Sequence, residues 1–245
     1  MSATPVGPTY TDGTYLARNP DWHLADAPGK ARDVAPFLIP LMQNLKTPTF
    51  SIADVGAGVC GVLSQLLPLL HLAHPAVSVN PQAFEPSTDA VRQARKLFPT
   101  IPIANRSLSN MDGPYDVALM VDVLEHLENP RSLLRLAHQV AANVVVRQPL
   151  LENFSTFRHR NYKDQRKSWG HIAYFNYHSF LDLMEDCGWE PLTLRLLPQW
   201  DLANGRPKAP FWKRCFARRA PVMASYFLAP FYLLGSFRRS GASLS

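Results

Sequence analysis

The sequence predicts an α/β fold: a doubly wound, mostly parallel sheet with helices on both faces. Three observations carry this expectation. Short apolar runs alternate with helix-period segments between residues 50 and 147, the pattern of βαβ units, whose right-handed crossovers put helices on both sides of a sheet. The run Tyr115-Asp-Val-Ala-Leu-Met-Val121 is almost continuously apolar, as a strand buried on both faces must be. The stretch from Phe50 to Leu66 passes from strand to helix through Gly56, Gly58 and Gly61. Glycines there let the backbone approach a ligand, and the helix start offers unpaired N–H groups to it.

The elements follow in order. Residues 1–27 are polar but hold Tyr10, Tyr15, Trp22 and His23, too many aromatics for a loose tail, and are expected to form a cover. From Pro28 to Leu45 the residues Ala31, Val34, Phe37, Leu38 and Leu41 recur at helical spacing. Pro28 suits a first helical turn, and Pro40 should kink or shorten the helix. Ile52 to Val55 is the first strand and Val62 to Leu70 its helix. Gln82 to Glu85 is the second strand, then the helix Asp89 to Phe98 with Ser87 or Thr88 as its cap. Ile101 to Ala104 and Tyr115 to Val121 give the third and fourth strands. Val123 to Leu127 starts a helix that stops near Pro130, a second helix runs from Pro130 to Val140, and Ala142 to Arg147 is the fifth strand.

Beyond residue 150 the pattern changes. Leu150 to Lys167 is aromatic and basic, Tyr177 to Cys187 is helical before Gly188, and Pro191 to Leu197 is a strand. Pro198 to Pro210 is a loop. Pro221 to Phe237 is an apolar stretch with basic flanks. It is expected to pack against protein, as a helix over the core or a dimer contact, with peripheral contact to an anionic membrane as the second reading. These changes divide the chain into a cover and helix (1–45), a core (46–200) and a basic, apolar C-terminal helical extension (201–245).

The 245 residues are 47 % apolar, enough for a full core. The net charge of +6 is concentrated in Arg158 to Lys167, in Lys208 to Arg219 and at Arg238 and Arg239. No zinc-finger spacing or RNA-binding strand accompanies it, so no nucleic-acid partner is expected. Three scattered cysteines imply a reduced compartment. The first residues lack the basic start and apolar run of a signal peptide, which points to the cytoplasm.

Taken literally, Gly56-Ala-Gly58-Val-Cys-Gly61 satisfies the dinucleotide fingerprint, with Glu85 24 residues past Gly61, so a nicotinamide oxidoreductase is one reading. Two features favour another. Asp54 stands two residues before the first glycine, and Asp122-Val-Leu-Glu-His126 follows the fourth strand directly. Carboxylates beside the turn suit a cofactor with a cationic amino-acid end better than a pyrophosphate.

At these residues the chain resembles the class I S-adenosylmethionine-dependent methyltransferases over roughly residues 35–200. Asp54-Val-Gly-Ala-Gly58 is similar to their first motif, Phe84-Glu-Pro-Ser87 to the second, and Tyr115-Asp116 through Asp122 to Pro130 to the fourth and the helix after it. Gly170-His-Ile-Ala-Tyr-Phe175, a helix and Gly188-Trp189 resemble the closing segment of small-molecule members. The resemblance implies a Rossmann-like methyltransferase fold that binds S-adenosyl-L-methionine. It implies that Gly56, Ala57 and Gly58 line the methionine and ribose portions, that Asp54 holds the amino end, and that Glu85, beside Pro86, chelates the ribose. Ser107 and Leu108 then lie near the adenine, and Asp122 and Val123 near the methionine part. Cys60 departs from the motif, whose third glycine falls there.

His126 and His171 are the candidate bases, since a neutral imidazole can take a proton from an acceptor. Asp122, Glu125 and His126 also resemble a pattern in metal-dependent quinone O-methyltransferases, but no metal is assigned. Tyr15, Trp22, Tyr162 and Tyr174 are expected to wall the acceptor pocket, and the basic run from Arg158 could meet a phosphate or carboxylate on the acceptor. The function expected is methyl transfer from S-adenosylmethionine to an oxygen or nitrogen of a small-molecule acceptor: a sugar, a natural product or a lipid-linked intermediate. The alternatives are the nicotinamide enzyme and a non-catalytic, methyltransferase-like binding protein, for which Cys60 is the motive. Oligomeric state is left open.

Overall fold

In the computed structural model the described residues are 21–22, 24–43, 45, 47–201, 209–228 and 230–241. Their strands form one seven-stranded sheet in the order β3-β2-β1-β4-β5-β7-β6. The strands are β1 (Thr49–Val55), β2 (Ser78–Phe84), β3 (Ile103–Ala104), β4 (Tyr115–Val121), β5 (Ala141–Leu150), β6 (Trp189–Pro198) and β7 (Phe231–Arg239). The first five are parallel to one another, while β7 runs antiparallel to both β5 and β6. The order reverses between β1 and β4, so the carboxyl ends of these strands open a crevice, the usual ligand position in such sheets.

The central strands are apolar throughout because both faces are covered. In β4, Val117 and Leu119 belong to one cluster and Ala118 and Met120 to another; in β5, Val145 faces away from Val144 and Val146. On one side α1 (Ala27–Leu38) sends Ala31, Val34, Phe37 and Leu38 against Phe50, Ile52 and the buried Leu66 and Leu70 of α2 (Gly61–Ala73). On the other, α4 (Pro130–Val140) and α7 (Tyr177–Asp186) supply Leu133, Leu134, Phe180 and Met184. The helix α3 (Thr88–Leu97) lies by the edge strands, its Ala90 and Ala94 meeting Ala83 and Ile101. Its cap is Ser87, whose Oγ accepts from the Ala90 N–H. As expected, Pro40 ends α1: the chain continues only as a 3-10 turn from Ile39 to Met42.

The C-terminal third departs most from the expectation. Residues 154–169 form two short helices, α5 (Phe154–His159) and α6 (Tyr162–Trp169), separated by a left-handed Arg160. The helix α8 (Phe211–Arg219) follows. The apolar stretch 221–237 is not one helix. It splits into α9 (Pro221–Phe227) and the strand β7. β7 sits inside the sheet with Phe231, Leu233, Leu234 and Phe237 fully buried, so the sheet extends past the expected boundary at residue 200. A strand buried on both faces has no polar phase, so its sequence gives no period to tell it from a helix. Among the described residues no helix is long and apolar enough to cross a membrane.

Candidate active site

The ends of β1, β2, β4 and β5, with the first turns of α1 and α2, enclose a cavity of about 400 Å³. Its floor is the turn after β1. Gly56 (φ 71°) and Gly58 (φ 54°) are left-handed there, a conformation glycine adopts without cost. The N–H groups of Gly56 and Ala57 both donate to the Phe84 carbonyl, at 2.9 and 3.2 Å. A Cβ on Gly56 would stand 3.0 and 3.2 Å from the Val123 methyls, whereas one on Gly58 would meet no atom within 4 Å. The first glycine therefore serves packing between the β1 and β4 turns, and the second leaves space in the cavity that it lines.

Cys60 has φ 62° and precedes α2 directly. The cysteine adopts the left-handed backbone that a third glycine would otherwise provide, and the turn keeps its shape. Its side chain is 1 % exposed, beside Val59, Leu63 and Ala83. Burial pushes the thiol well up, ahead of Asp54 and Glu85, so it is a packing group and not a reactive thiolate.

Glu85 follows β2 and clips two turns together. Oε2 accepts from the Gly58 N–H at 2.9 Å and Oε1 from the Ser87 N–H at 2.7 Å. Burial raises its carboxyl and these two bonds only partly offset the rise. Each oxygen keeps a further lone pair, and Glu85 and Pro86 both line the cavity. Asp54 does not. It is the penultimate residue of β1, 3 % exposed, and burial followed by the Glu85 charge pushes it up to about 7. Ser107 and Leu108, expected near the adenine, also lie off the cavity wall, with Leu108 packed in the core beside Phe84 and Val123.

After β4, Asp122 is left-handed (φ 55°) and its N–H donates to the Arg147 carbonyl. Arg147 Nη1 donates to both Asp122 carboxylate oxygens, at 2.5 and 2.6 Å, and Lys30 Nζ lies 2.9 Å from one of them. Burial would raise the Asp122 carboxyl, but Arg147 and Lys30 outweigh it and hold the group well below the usual carboxylate range. Arg147 also donates from Nε to Asp33 at 3.2 Å and lies 3.7 Å over the Tyr232 ring. Asp122 and Val123 thus line the cavity, but Asp122 already has two cationic partners. The sequence reading missed Lys30, Asp33, Arg147 and Tyr232. The available signal was Arg147 itself, a cation in an apolar strand, which has to find a counter-charge when buried.

The far end of the cavity holds the histidines. His126 ends a single 3-10 turn, Leu124–His126. The Glu125 carbonyl accepts the N–H groups of Ile172 and Ala173, at 2.8 and 3.0 Å. That anchor brings His171 to His126, with ring centroids 4.9 Å apart. His126 Nδ1 lies 3.4 Å from the Gly170 carbonyl oxygen. Burial, then the neighbouring His171, lowers His126 to about 3, and burial lowers His171 to about 4. Both rings are neutral at pH 7. The Glu125 side chain, 1 % exposed, accepts from Gln148 Nε2 at 3.2 Å; burial, then Asp122, pushes it up to about 8. Ligand atoms of Glu125, His126 and His171 lie within 4.8 Å of one another, a set able to hold a divalent cation in principle. His171 takes the place in it that the sequence pattern gave to Asp122.

Of the four aromatics expected around the acceptor, Trp22 lines the cavity and Tyr15 lies outside the described residues, as do Tyr10 and His23. Tyr162 and Tyr174 do not line it. They meet edge to face at 4.8 Å, and the Tyr174 hydroxyl donates toward the carbonyls of Tyr162 and His171, 3.0 Å from each. They brace the His171 segment from behind, while Gln165, Trp169 and Tyr232 form the wall.

The profile of the methyltransferase domain family matches residues 31–194. No curated protein sequence matches the chain. Three of the many solved structures that share the fold illustrate the likeness. The plantazolicin methyltransferase BpumL, in complex with SAH, is 12 % identical, with 93 % of each chain covered and a TM-score of 0.56. The cyclopropane synthase MmaA2 from Mycobacterium tuberculosis is 10 % identical, covering 89 % of this chain and 98 % of that one at 0.55. An S-adenosylmethionine-dependent methyltransferase from Mesorhizobium loti is 16 % identical, covering 82 % and 96 % at 0.52. The family match favours methyl transfer over the nicotinamide reading of the same glycines. Matched along two thirds of its length, with the strand order and glycine turn described above, the chain belongs to the methyltransferase domain family and is a class I S-adenosylmethionine-dependent methyltransferase.

Proposed function

We propose that the enzyme transfers its methyl group to an oxygen or nitrogen of a small-molecule acceptor, such as a sugar, a natural product or a lipid-linked intermediate. The observation that carries this reading is the pair of neutral imidazoles, His126 and His171, 4.9 Å apart at the far end of the cavity that the glycine turn floors. The cradle fits the cofactor: Gly58 leaves open space, and Glu85 retains lone pairs for the ribose hydroxyls. The backbone of Gly56 to Gly58 would flank the methionine part, with Asp122 and Val123 opposite. S-Adenosylmethionine supplies a methyl on a sulfonium, whose departure as a thioether needs no acid.

The protein's own work is then positioning, exclusion of water and removal of one proton. Trp22 and Trp169 wall the cavity. An acceptor O–H or N–H directed at His126 or His171 gives up its proton as the new bond to the methyl acidifies it, because burial leaves these imidazoles unprotonated but only weakly basic. Methyl-labelled cofactor incubated with fractionated cell extract finds the acceptor. His126→Ala/His171→Ala should then lower kcat by about 10²-fold or more, the range of general-base catalysis, with S-adenosylhomocysteine affinity kept within about threefold. Undiminished turnover in the double variant would remove the histidines from the mechanism.

A further inference from the structure

The surface built by α5, α8 and α9 is apolar and basic at once. The helix α9 packs against both α5 and α8. Each of the three carries an exposed pair one helical turn apart, which puts each pair on one face of its helix. The pairs are Phe154 with Phe157, Trp212 with Phe216, and Met223 with Phe227, each residue between 36 % and 71 % exposed. Single exposed apolar residues are ordinary, but such pairs on adjacent helices mark an interaction surface. The helix α8 buries no residue at all, so covering the core does not explain its apolar side.

Charge identifies the partner. Residues 154–169 and 211–227 hold nine of the 25 lysines and arginines and one of the 19 aspartates and glutamates, so the rest of the chain carries −2 while the whole carries +6. Lys213, Arg214, Arg218 and Arg219 lie on α8 among its aromatics, and Arg158, Arg160, Lys163, Arg166 and Lys167 on and beside α5 and α6. Short helices with aromatic residues outward and basic residues around them suit the interface of an anionic bilayer. We propose that the enzyme docks peripherally on anionic phospholipid through α5, α8 and α9. The stretch 221–237 does not serve as one membrane-lying element, because its second half is the buried strand β7. The inference stands on this surface and not on the identity of the methyl acceptor.

Sedimentation of the full chain with vesicles tests it. The protein should pellet with phosphatidylcholine vesicles holding about 30 % phosphatidylglycerol, remain in solution with phosphatidylcholine alone, and be released as salt shortens the screening length. Trp212→Ser/Phe216→Ser should abolish pelleting, and Arg218→Gln/Arg219→Gln should weaken it about 25-fold, at about fivefold per charge. Both variants should bind S-adenosylhomocysteine as the parent does, because none of these residues lines the cavity. Absence of pelleting, equal pelleting with neutral vesicles, or variants that bind lipid unchanged would overturn the proposal. Dimerisation lost in the same variants, in a chain that ignores vesicles, would assign the face to a second copy and overturn it too.

Discussion

Substituting Gly56 and Gly58 one at a time should separate two roles that look identical in the sequence. Gly56→Ala forces a Cβ onto a left-handed residue, at about 1–2 kcal/mol. The same Cβ meets the Val123 methyls at 3.0 and 3.2 Å, an overpacking contact of about 1–3 kcal/mol. The sum is about 2–5 kcal/mol, a large fraction of the stability of an ordinary domain. Gly58→Ala meets nothing, so only the conformational cost remains, and its methyl instead occupies cavity space. Urea unfolding should therefore find Gly56→Ala the less stable of the two, while titration calorimetry should find S-adenosylhomocysteine binding weakened in Gly58→Ala, whose stability falls only by the conformational cost of about 1–2 kcal/mol. The steric share is isolated by a cycle with Val123→Ala, which alone should cost about 1–3 kcal/mol. The double variant should be more stable than the two single costs predict, by about 1–2 kcal/mol, because the shortened side chain makes room for the new methyl. Additivity within about 0.5 kcal/mol would mean that the turns after β1 and β4 do not touch as described, and the assignment of Gly56 to packing would fail.

Glu85→Ala should weaken S-adenosylhomocysteine binding about 100-fold by calorimetry, through two lost charge-assisted hydrogen bonds; unchanged affinity would take the ribose away from this residue. Arg147→Met leaves Asp122 and Asp33 buried without their shared cation and should cost about 3–5 kcal/mol in urea unfolding, part of which Arg147→Met/Asp122→Asn should restore. The lowered histidines predict acid lability. Their neutral forms stabilise the folded state fully above about pH 6.5, and that contribution is lost as the pH falls toward about 4 for His171 and about 3 for His126. Glu125 has the opposite sign. Its raised carboxyl contributes stability below its ordinary value of 4.5 that is lost as the pH rises to about 8, so Glu125→Gln should gain on the parent across that window and no further above it.

The fold was legible wherever the chain alternates. The βαβ units from residue 50 to residue 147 carry a period, a glycine turn or a cap at each boundary, and Asn129 and Ser87 cap their helices by accepting from the backbone N–H groups of Ser132 and Ala90. Legibility ends at β7. Both of its faces are covered, and it pairs with β5 and β6, which lie 81 and 33 residues before it at their first paired positions, Leu150 and Pro198, opposite Phe231. Nothing local encodes such pairings. The short helices α5 and α8 were equally hidden, because their exposed aromatics serve no internal core and so follow no core-facing period.

At the site, Asp54, Asp122 and Glu125 look in the sequence like anions on one rim, suited to a cationic cofactor. In the folded chain Asp54 is buried below the turn and titrates at about 7, and Glu125 is pushed up to about 8. Asp122 keeps its charge, but Lys30 and Arg147 answer it. The two cations of this network meet the two anions Asp33 and Asp122, so the network has no net charge. Glu85 lines the cavity where the turns after β1 and β2 meet, with the Gly58 and Ser87 N–H groups as its hydrogen-bond partners. The cofactor follows from the order of motifs and the glycine geometry more than from a sum of acids. The neutral Lys30–Arg147–Asp33–Asp122 network has a structural consequence instead: it ties α1, the β4 turn, β5 and β7 around one buried guanidinium. The cavity wall therefore depends on β7, the strand least legible in the sequence, and loss of Tyr232 or Arg147 should disturb acceptor and cofactor ends together.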